Sequence, residues 1–348
     1  MNLLDTLGIP YPIFQAPMAG VATPQLAAAV ANTGGLGALG VAAMSPKTAR
    51  DAIRATQRLT NRPFNVNVFC HQPPHRKHAS EQQWLSFIKP LFDATGQTPP
   101  KTLQDLYPSF HGNQGLLHVL LETRPKVVSF HFGLPSKHQL ELLHAAGIIT
   151  FATATNLAEA RAIQEAGIHA IVAQGYEAGG HRGVFHPQQE DQRLDTLSLV
   201  KEIRAHIQRP IIAAGGLMNG AHIRRALDAG AQAAQLGTAF VACPESAASA
   251  TYRQHMQAAN PQTRMTRTIS GRPARGIVND YIRFCEQPSA PEPANYPLAY
   301  DATKQLQQAV QAAQSDFDCG AYWAGDNVRQ ARHLPAQSLM RLLTRELG

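Results

Sequence analysis

The stretch AGIHAIVAQG, residues 166–175, decides the fold of this chain. Its first two residues are typical of a helix end, because Gly167 can take the left-handed conformation that closes a helix. A short apolar run follows at once over residues 168–174, as expected for a buried strand. Gly175 then begins a glycine-rich loop. The stretch therefore predicts a helix, a buried strand and a turn in direct succession.

The same succession recurs along the chain, with Gly35, Gly147 and Gly230 each placed just before a short apolar run. Strands that alternate with helices of roughly 10–15 residues predict parallel βαβ units. Eight alternations favour an α/β fold of the (β/α)8 TIM-barrel type, although the pattern alone leaves an open sheet as an alternative. The predicted strands are residues 13–16, 36–39, 64–69, 127–131, 148–152, 170–174, 210–214 and 233–236.

Two segments interrupt this rhythm. One follows the third strand, and the other follows the eighth strand and includes a proline-rich stretch at residues 287–297. We predict a barrel made of residues 1–70 and 123–242, and a smaller, mostly helical lobe made of residues 71–122 and 243–348. Active sites of barrels lie at the carboxyl ends of the strands, so we expect this lobe to cover the site.

Composition and charge limit the classes of function. With 44% hydrophobic and 16% charged residues, the chain can bury a large core, which argues against disorder. The net charge is +7, but the basic residues form only short groups such as Arg224-Arg225. Neutralising several phosphates needs a larger patch, so we expect no nucleic-acid partner. The excess charge instead suits a small anionic ligand.

The spacing of the cysteines and the hydropathy of the chain indicate whether it binds a metal and in which cellular compartment it works. No two of the four cysteines are at C-x-x-C spacing, which argues against a zinc site or a thioredoxin motif. Scattered thiols fit a reducing compartment, and we predict a cytoplasmic protein with no metal. The apolar stretch 26–44 is interrupted at residues 32–35, so we expect neither a signal peptide nor a membrane span.

Amides and glycines follow several predicted strands. Asn67 lies on the third strand, Gln174 ends the sixth, and Gln235 lies on the eighth. Because parallel strands of a barrel end at one face, these groups should meet there. An isoalloxazine ring needs amide partners at its polar edge and close backbone at its flat face. The strand ends therefore indicate a flavin site.

Two glycine turns near the end of the predicted barrel indicate a phosphate site. They are Gly215-Gly216 after the seventh strand and Gly237-Thr238 after the eighth. Loops at these positions present backbone N–H groups to an anion. The chain has no G-x-G-x-x-G followed by a distant acidic residue, which favours a mononucleotide over a dinucleotide.

Two histidines are placed at the expected mouth of the barrel. His181 follows Gly179-Gly180, and His131 ends the fourth strand. A histidine there can act as base, acid or anion donor, and we predict both as catalytic residues. The alternatives are a loop histidine bonded to backbone for His181 and a packed strand-end histidine for His131.

A further set lies near the predicted lobe. Tyr300 and Lys304 are four residues apart and share a helix face, and Tyr296 precedes them. Phenols and an ammonium group can form a carboxylate receptor, the alternative being a solvated lysine at a helix start. The segment 270–276 is a second loop rich in glycine and arginine, and its role is open between anion contact and packing.

Together these segments resemble the nitronate monooxygenases, formerly called 2-nitropropane dioxygenases, from about residue 8 to about residue 326. The segment 177–181, Glu-Ala-Gly-Gly-His, is specific to that superfamily, but it does not separate these enzymes from related NADH:quinone reductases or FMN enoyl reductases. The Tyr-Pro-x-x-Tyr-x-x-x-Lys segment at 296–304, with Tyr107, is similar to the class I enzymes.

The resemblance implies a noncovalently bound FMN and assigns residues by position. The implied catalytic residue is His181. The implied substrate pocket consists of Tyr107, His131, Tyr296, Tyr300 and Lys304. The implied cofactor contacts are Met18, Asn67, Gln174, Gly179, Gly216, Gln235, Leu236, Gly237 and Thr238. We predict that their neighbours Ala16, Pro17, Gly180 and Gly215 also bind the cofactor.

The resemblance also implies a reaction. One electron passes from an anionic nitronate to FMN, and the flavin semiquinone or the substrate radical then meets O2. The products are a carbonyl compound and nitrite or nitrate, and propionate 3-nitronate is the expected substrate. We expect a monomer or homodimer. An NADH-dependent flavin reductase on the same scaffold remains the alternative, followed by an anion-binding protein without activity.

Overall fold

The computed structural model describes residues 2–74 and 76–348 and contains an eight-stranded parallel sheet with strand order β1-β9-β8-β6-β5-β4-β3-β2. A bridge between Phe14 and Leu36 joins the first and last strands of that order. The predicted TIM barrel is therefore confirmed. Its strands are β1 (Ile13–Gln15), β2 (Gly37–Gly40), β3 (Phe64–Phe69), β4 (Val127–His131), β5 (Ile149–Ala154), β6 (Ala170–Gln174), β8 (Ile211–Ala214) and β9 (Ala233–Leu236).

Three further strands form a small antiparallel sheet in the order β10-β11-β7. They are β7 (Gly180–His181), β10 (Thr263–Thr266) and β11 (Ala274–Ile277). In this sheet His181 pairs with Ala274 and Gly180 pairs with Arg275. The loop after β6 is therefore tied by main-chain pairing to a segment more than 90 residues away.

The barrel closes at β1 and β2 through few backbone contacts. Gln15 N donates to Leu36 O at 2.9 Å, and Leu36 N donates to Ile13 O at 3.1 Å. One step further along, the side-chain Oε1 of Gln15 accepts from Ala38 N at 2.8 Å. A buried amide side chain thus takes the place of the next backbone bond, which leaves the segment after Gln15 free to line the site.

Helices surround the barrel and form the lobe. Their bounds are α1 (Leu3–Leu7), α2 (Pro24–Asn32), α3 (Pro46–Leu59), α4 (His78–Asp93), α5 (Gln114–Thr123), α6 (Lys137–Ala145), α7 (Leu157–Glu165), α8 (Thr196–His206), α9 (Gly220–Asp228), α10 (Thr238–Val241), α11 (Ala250–Gln257), α12 (Asp280–Cys285), α13 (Leu298–Ala312) and α14 (Ala336–Leu347), with a 3-10 turn at Val328–Gln330.

Several barrel helices begin at the residue types that cap helices. The side chains of Thr23, Ser45 and Asn219 each accept a hydrogen bond from the backbone N–H three residues ahead. The first two are followed by proline at the first helical position. The residue types at these positions therefore explain where the three helices begin.

Successive side chains along the barrel strands alternate between two apolar layers. Ile13, Val66 and Val128 pack outward against the surrounding helices. Phe14 and Phe151 belong to an inner cluster that also contains residues of α1, so α1 closes the amino-terminal end of the barrel. That end is filled mainly with apolar side chains, and the polar side chains of Asn67, Ser129 and Gln174 lie toward the opposite, carboxyl end of their strands.

The lobe has a core of its own. Trp84 of α4 packs with Tyr281 of α12 and with Leu298 and Leu306 of α13. The helices α5 and α14 lie elsewhere: α5 packs against α3 and α6, and α14 packs against α9 and α2. The barrel layer thus includes two helices from the segments that the sequence assigned to the lobe, because α14 is the eighth barrel helix, displaced by an insertion after β9.

Close packing holds α14 in that place. Gly220, at the start of α9, would have its Cβ only 2.3 Å from backbone and side-chain atoms of Glu346, and Gly220 N donates to Glu346 Oε2 at 2.9 Å. Among the described residues, no helix combines the length and the apolar character needed to cross a bilayer.

Candidate active site

A cavity of about 1150 Å³ lies at the carboxyl ends of the barrel strands, beneath the lobe. Its volume is slightly above the range of most small-molecule sites, roughly 300–1,000 Å³. Of the residues singled out from the sequence, the cavity is lined by Ala16, Pro17, Met18, Asn67, Tyr107, His131, Gln174, Gly179, Gly180, His181, Gly215, Gly216, Gln235, Gly237, Thr238, Tyr296, Tyr300 and Lys304.

Leu236 is placed differently. Its side chain is buried in the outward layer between β9 and the helices, and it does not line the cavity. The alternation of side chains along β9 explains this, because Gln235 points inward and its neighbour must point outward. Leu236 still contributes to the site through its backbone, since its carbonyl oxygen accepts from Ala16 N at 2.8 Å.

The glycine turns form one wall of the cavity. Asn327 Nδ2 donates to Gly216 O at 2.7 Å, and Gly325 N donates to Thr238 Oγ1 at 3.0 Å. The segment just before the 3-10 turn therefore holds both glycine turns in place. A Cβ added to Gly237 would meet only the Cβ of Ala16, at an ordinary 3.5 Å. The space beside Gly237 therefore belongs to the cavity and is open to a ligand.

The loop that carries His181 also packs closely against another segment of backbone. A Cβ at Gly179 would lie 2.5 Å from Gly325 N and 2.6 Å from the carbonyl carbon of Ala324. Only glycine allows this contact, which joins the loop after β6 to the segment bracing the glycine turns. This contact ties the loop that carries His181 to the glycine turns at Gly216 and Gly237.

Asn67 offers a free acceptor to the cavity. Its Nδ2 donates to Ser129 O at 3.1 Å and to Ser129 Oγ at 2.9 Å. A carbonyl can only accept, so this contact sets the orientation of the amide. Oδ1 has no partner among the described residues and is not among the fully buried unpartnered atoms, so it faces the cavity. An amide oxygen there suits the imide N–H of a flavin.

His181 is surrounded by aromatic rings. Its ring centroid lies 5.1 Å from that of Trp323 and 5.6 Å from those of Phe132 and Tyr296. Its Nε2 is 2.9 Å from Ser270 Oγ. Burial, followed by the charges of His131 and Arg272, lowers the pKa of His181 to about 3. The imidazole is therefore neutral at physiological pH and has one ring nitrogen without a hydrogen.

His131 uses both of its ring nitrogens within the protein. Nδ1 is 3.0 Å from Thr153 Oγ1, and Nε2 is 3.1 Å from the carbonyl oxygen of His181. Burial lowers the pKa of His131 to about 4. Because a carbonyl only accepts, Nε2 carries the proton, and Thr153 donates to Nδ1. His131 lines the cavity, but the contacts of both nitrogens are with the fold.

The loop after β6 is held by a second set of polar contacts. Gln174 Nε2 donates to His181 O at 3.0 Å, and Gln174 Oε1 accepts from Gly183 N at 2.7 Å. Arg182, almost fully buried, pairs with Asp191 at 2.7 Å and donates to Gln174 O. The backbone on both sides of His181 is therefore fixed, which is how a short loop can hold one imidazole in place.

The residues predicted to form a carboxylate receptor lie close together in the lobe. Lys304 Nζ lies 4.8 Å from the ring centroid of Tyr107 and 5.4 Å from that of Tyr300. Burial raises the pKa of each of these two phenols to about 12, so both remain protonated donors. No salt bridge to Lys304 is found in residues 2–74 and 76–348, so its charge is available to an anion in the cavity.

Arg272 is a buried cation behind the site. It is 3% exposed, its guanidinium carbon lies 4.1 Å from the ring centroid of Phe132, and it donates to Val184 O. Phe132 has a positive φ of 72°, a rare conformation for an aromatic residue. The loop 270–276, left open from the sequence, thus packs its arginine against the ring that borders both cavity histidines.

Sequence reasoning did not predict the contacts of four neighbours of the predicted residues, which are Ser129, Thr153, Ser270 and Trp323, although Ser270 lies in the loop 270–276 that it singled out. Thr153 had a usable signal, because Ile149, Phe151 and Thr153 alternate inward along β5, but the predicted strand 148–152 ended two residues before β5 does. The contacts of Ser270 and Trp323 with His181 cross about 90 and 140 residues of chain and left no local signal.

Comparisons with known proteins agree with this architecture. The profile of the nitronate monooxygenase family matches residues 1–346. The chain is 53% identical to a nitronate monooxygenase of Paraburkholderia phytofirmans, over 99% of this chain and 94% of that protein. It is 48% identical to a nitronate monooxygenase of Pseudomonas aeruginosa, over 98% of this chain and 97% of that protein.

Solved structures extend the comparison to the fold. A nitroalkane oxidase from Streptomyces ansochromogenes is 39% identical, with a TM-score of 0.90 over 100% of this chain and 98% of that one. FabK from Thermotoga maritima is 26% identical, with a TM-score of 0.73 over 99% of this chain and 95% of that one. The similarity to the first of these covers the barrel and the lobe together.

Proposed function

The chain belongs to the nitronate monooxygenase family, and we propose that it uses FMN and O2 to oxidise small anionic alkyl nitronates to a carbonyl compound plus nitrite or nitrate. One observation carries the proposal. A single cavity contains the two glycine turns, the neutral imidazole of His181 and the unpaired ammonium of Lys304. The cavity thus provides a binding site for the cofactor phosphate, and a proton acceptor and a cation for the substrate.

The residues present fit a flavin mononucleotide. Gly216 and Gly237 would hold its phosphate, since the Gly237 position is open and α10 begins directly after it. Asn67 Oδ1 and the amide of Gln174 would meet the polar edge of the ring. Bound there, FMN supplies the electron transfer from nitronate to oxygen, and the protein supplies orientation and charge.

Each protein group has a part in substrate handling. A neutral nitroalkane must lose an α-proton before it becomes a nitronate, and His181 is the neutral base in the cavity that can take it. A preformed nitronate needs no such transfer. For that substrate, the positive potential of Lys304 and the phenol donors of Tyr107 and Tyr300 would bind and orient the anion.

The unpaired charge of Lys304 favours a second anionic group on the substrate. A nitronate that also carries a carboxylate, such as propionate 3-nitronate, would place that carboxylate against Lys304 while its nitronate end reaches the flavin. Hydrogen bonds to charged groups contribute about 1.5–3 kcal/mol, enough to select such a substrate over one without a carboxylate.

Anaerobic mixing tests the proposal. The purified protein should be yellow, and chromatography of the heat-released chromophore should identify FMN. Propionate 3-nitronate should reduce the bound flavin without oxygen, and NADH should leave it oxidised. Reduction by NADH but not by the nitronate would favour the alternative flavin reductase. A colourless protein that does not take up FMN would contradict both activities.

We also propose a reducing, cytoplasmic setting. Cys70, Cys243, Cys285 and Cys319 are all free and buried, so none needs an oxidising compartment. Mass determination in solution would decide between the proposed monomer and homodimer.

A further inference from the structure

We propose that Ser270 is a positioning residue that selects the tautomer of His181: its hydroxyl accepts a hydrogen bond from Nε2–H and leaves Nδ1 as the unprotonated nitrogen facing the cavity. The contact itself is independent of the reaction. Its catalytic consequence rests on the proposed function.

The hydrogen bonds around Ser270 favour one way for its hydroxyl to meet His181. Ser270 Oγ donates to Arg272 O at 3.1 Å, and Arg272 N donates to Ser270 Oγ at 3.3 Å. A hydroxyl has one proton, and the carbonyl of Arg272 can only accept. With that proton directed to the carbonyl, Oγ must accept from Nε2 of His181, which lies 2.9 Å away.

The state of the imidazole completes the assignment. Burial holds the pKa of His181 at about 3, so the ring is neutral and has one N–H. With that hydrogen on Nε2, Nδ1 is the basic nitrogen. No hydrogen bond to Nδ1 is found in the part of the chain that the structure describes, and Nδ1 is not among the buried unpartnered atoms. His181 lines the cavity, so Nδ1 reaches it.

Ser270 is held in a fixed position, so its hydroxyl would lose contact with His181 if the imidazole rotated. Ser270 is 1% exposed. Gly271 has a φ of 87°, and a Cβ there would lie 2.2 Å from Ala294 O, so the turn is closely packed. Four residues later Ala274 pairs with His181 in the small sheet. The loop 270–276 therefore reaches His181 through both backbone and side chain, which assigns a role to a segment that the sequence left open.

Nitrogen NMR of the flavin-loaded enzyme with 15N-labelled histidine tests the tautomer directly. The signal lost in His181→Asn identifies the ring, and its couplings show which nitrogen carries the hydrogen. We expect Nε2–H and a hydrogen-free Nδ1 in the wild type, and a mixture of tautomers in Ser270→Ala. A wild-type ring protonated on Nδ1 would overturn the proposal, whatever the enzyme proves to oxidise.

Kinetics test the consequence. With a neutral nitroalkane, Ser270→Ala should lower kcat/KM by about tenfold, the effect of roughly one hydrogen bond. With the preformed nitronate the change should stay within about twofold. Ser270→Thr, which keeps the hydroxyl, should restore most of the loss.

Thr56→Val is the matched control, because it removes a fully buried hydroxyl from α3, outside the site. It should leave both rates unchanged. An equal loss on both substrates in Ser270→Ala, or no rescue by threonine, would contradict a role in tautomer selection. If no nitronate reduces the flavin, the proposed function fails, while the NMR result still decides the assignment of the tautomer.

Discussion

The imidazole Nε2 of His131 lies 3.1 Å from the carbonyl oxygen of His181, the backbone of the very residue whose side chain is the candidate base. Gln174 Nε2 donates to the same oxygen at 3.0 Å. Two side chains, from the strands β4 and β6 that flank β5 in the barrel, thus hold one carbonyl of the loop. His131, at the end of β4, therefore holds the backbone of His181 in position.

This relationship predicts the behaviour of His131→Phe. Loss of the clamp should misplace His181 and the loop together, so we expect kcat/KM to fall by a similar factor, about tenfold, for neutral nitroalkane and for preformed nitronate. His131→Gln, which can still donate to the carbonyl, should lose less. A loss confined to the neutral nitroalkane would instead show that His131 takes the substrate proton.

His181→Asn should separate the two substrates. The variant should keep its flavin, because the glycine turns and Asn67 are untouched, and it should lose acid–base catalysis worth about 10²–10⁴-fold. That loss should be larger with a neutral nitroalkane than with a preformed nitronate, measured as kcat/KM for each. Equal losses would reject the base role, and unchanged rates would reject any role.

Lys304→Met should weaken only carboxylated substrates. With propionate 3-nitronate we expect kcat/KM to fall roughly 10–150-fold, the equivalent of about 1.5–3 kcal/mol, because the charge-assisted contact is lost. Ethyl nitronate should change little. Lys137→Met is the matched control, since Lys137 is 92% exposed and lies on α6, outside the cavity. The same loss on both nitronates would make Lys304 a general electrostatic or structural residue.

Gly237→Ala should weaken the flavin without harming the fold. The added methyl meets no protein atom closer than 3.5 Å, and the φ of −103° suits alanine, so the flavin-free variant should unfold at the wild-type temperature. The methyl would occupy the space beside the proposed phosphate. We expect the FMN dissociation constant, measured by fluorescence titration, to rise at least about tenfold. An unchanged constant would place the phosphate elsewhere.

Stability should fall in mild acid. Burial, with the charge of Arg272 as a further cause, lowers the pKa of His71 and of His131 to about 4 and that of His181 to about 3. Between pH 6.5 and 4 these histidines are protonated in the unfolded chain but not in the folded chain. The folded state is therefore most stable above this window and loses stability as the pH falls through it. Each histidine should lower the free energy of unfolding by up to about 1.4 kcal/mol per pH unit.

Urea unfolding at several pH values checks this dependence. His71→Phe is the control that isolates one contribution, because neither ring nitrogen of His71 is hydrogen-bonded to a side chain and its ring packs against Tyr296. The variant should show a shallower slope of unfolding free energy against pH. A slope equal to that of the wild type would mean that His71 titrates normally in the folded protein.

The barrel could be predicted from local sequence because its signals are local. A glycine that ends a helix, as at Gly167, and an apolar run of buried strand length are set by neighbouring residues, and eight repeats of that unit suffice for closure. The cavity residues at strand ends could be predicted for the same reason, since all parallel strands of a barrel end at one face.

What only the tertiary structure decided depends on contacts between distant segments. That Ser270 meets Nε2 of His181, that α14 closes the ring of helices, and that Leu236 faces outward while Gln235 faces in all follow from packing and register. A histidine in a sequence has two equivalent candidate nitrogens and an ordinary pKa. Burial makes it neutral, and one hydroxyl 89 residues away decides which nitrogen is left to react.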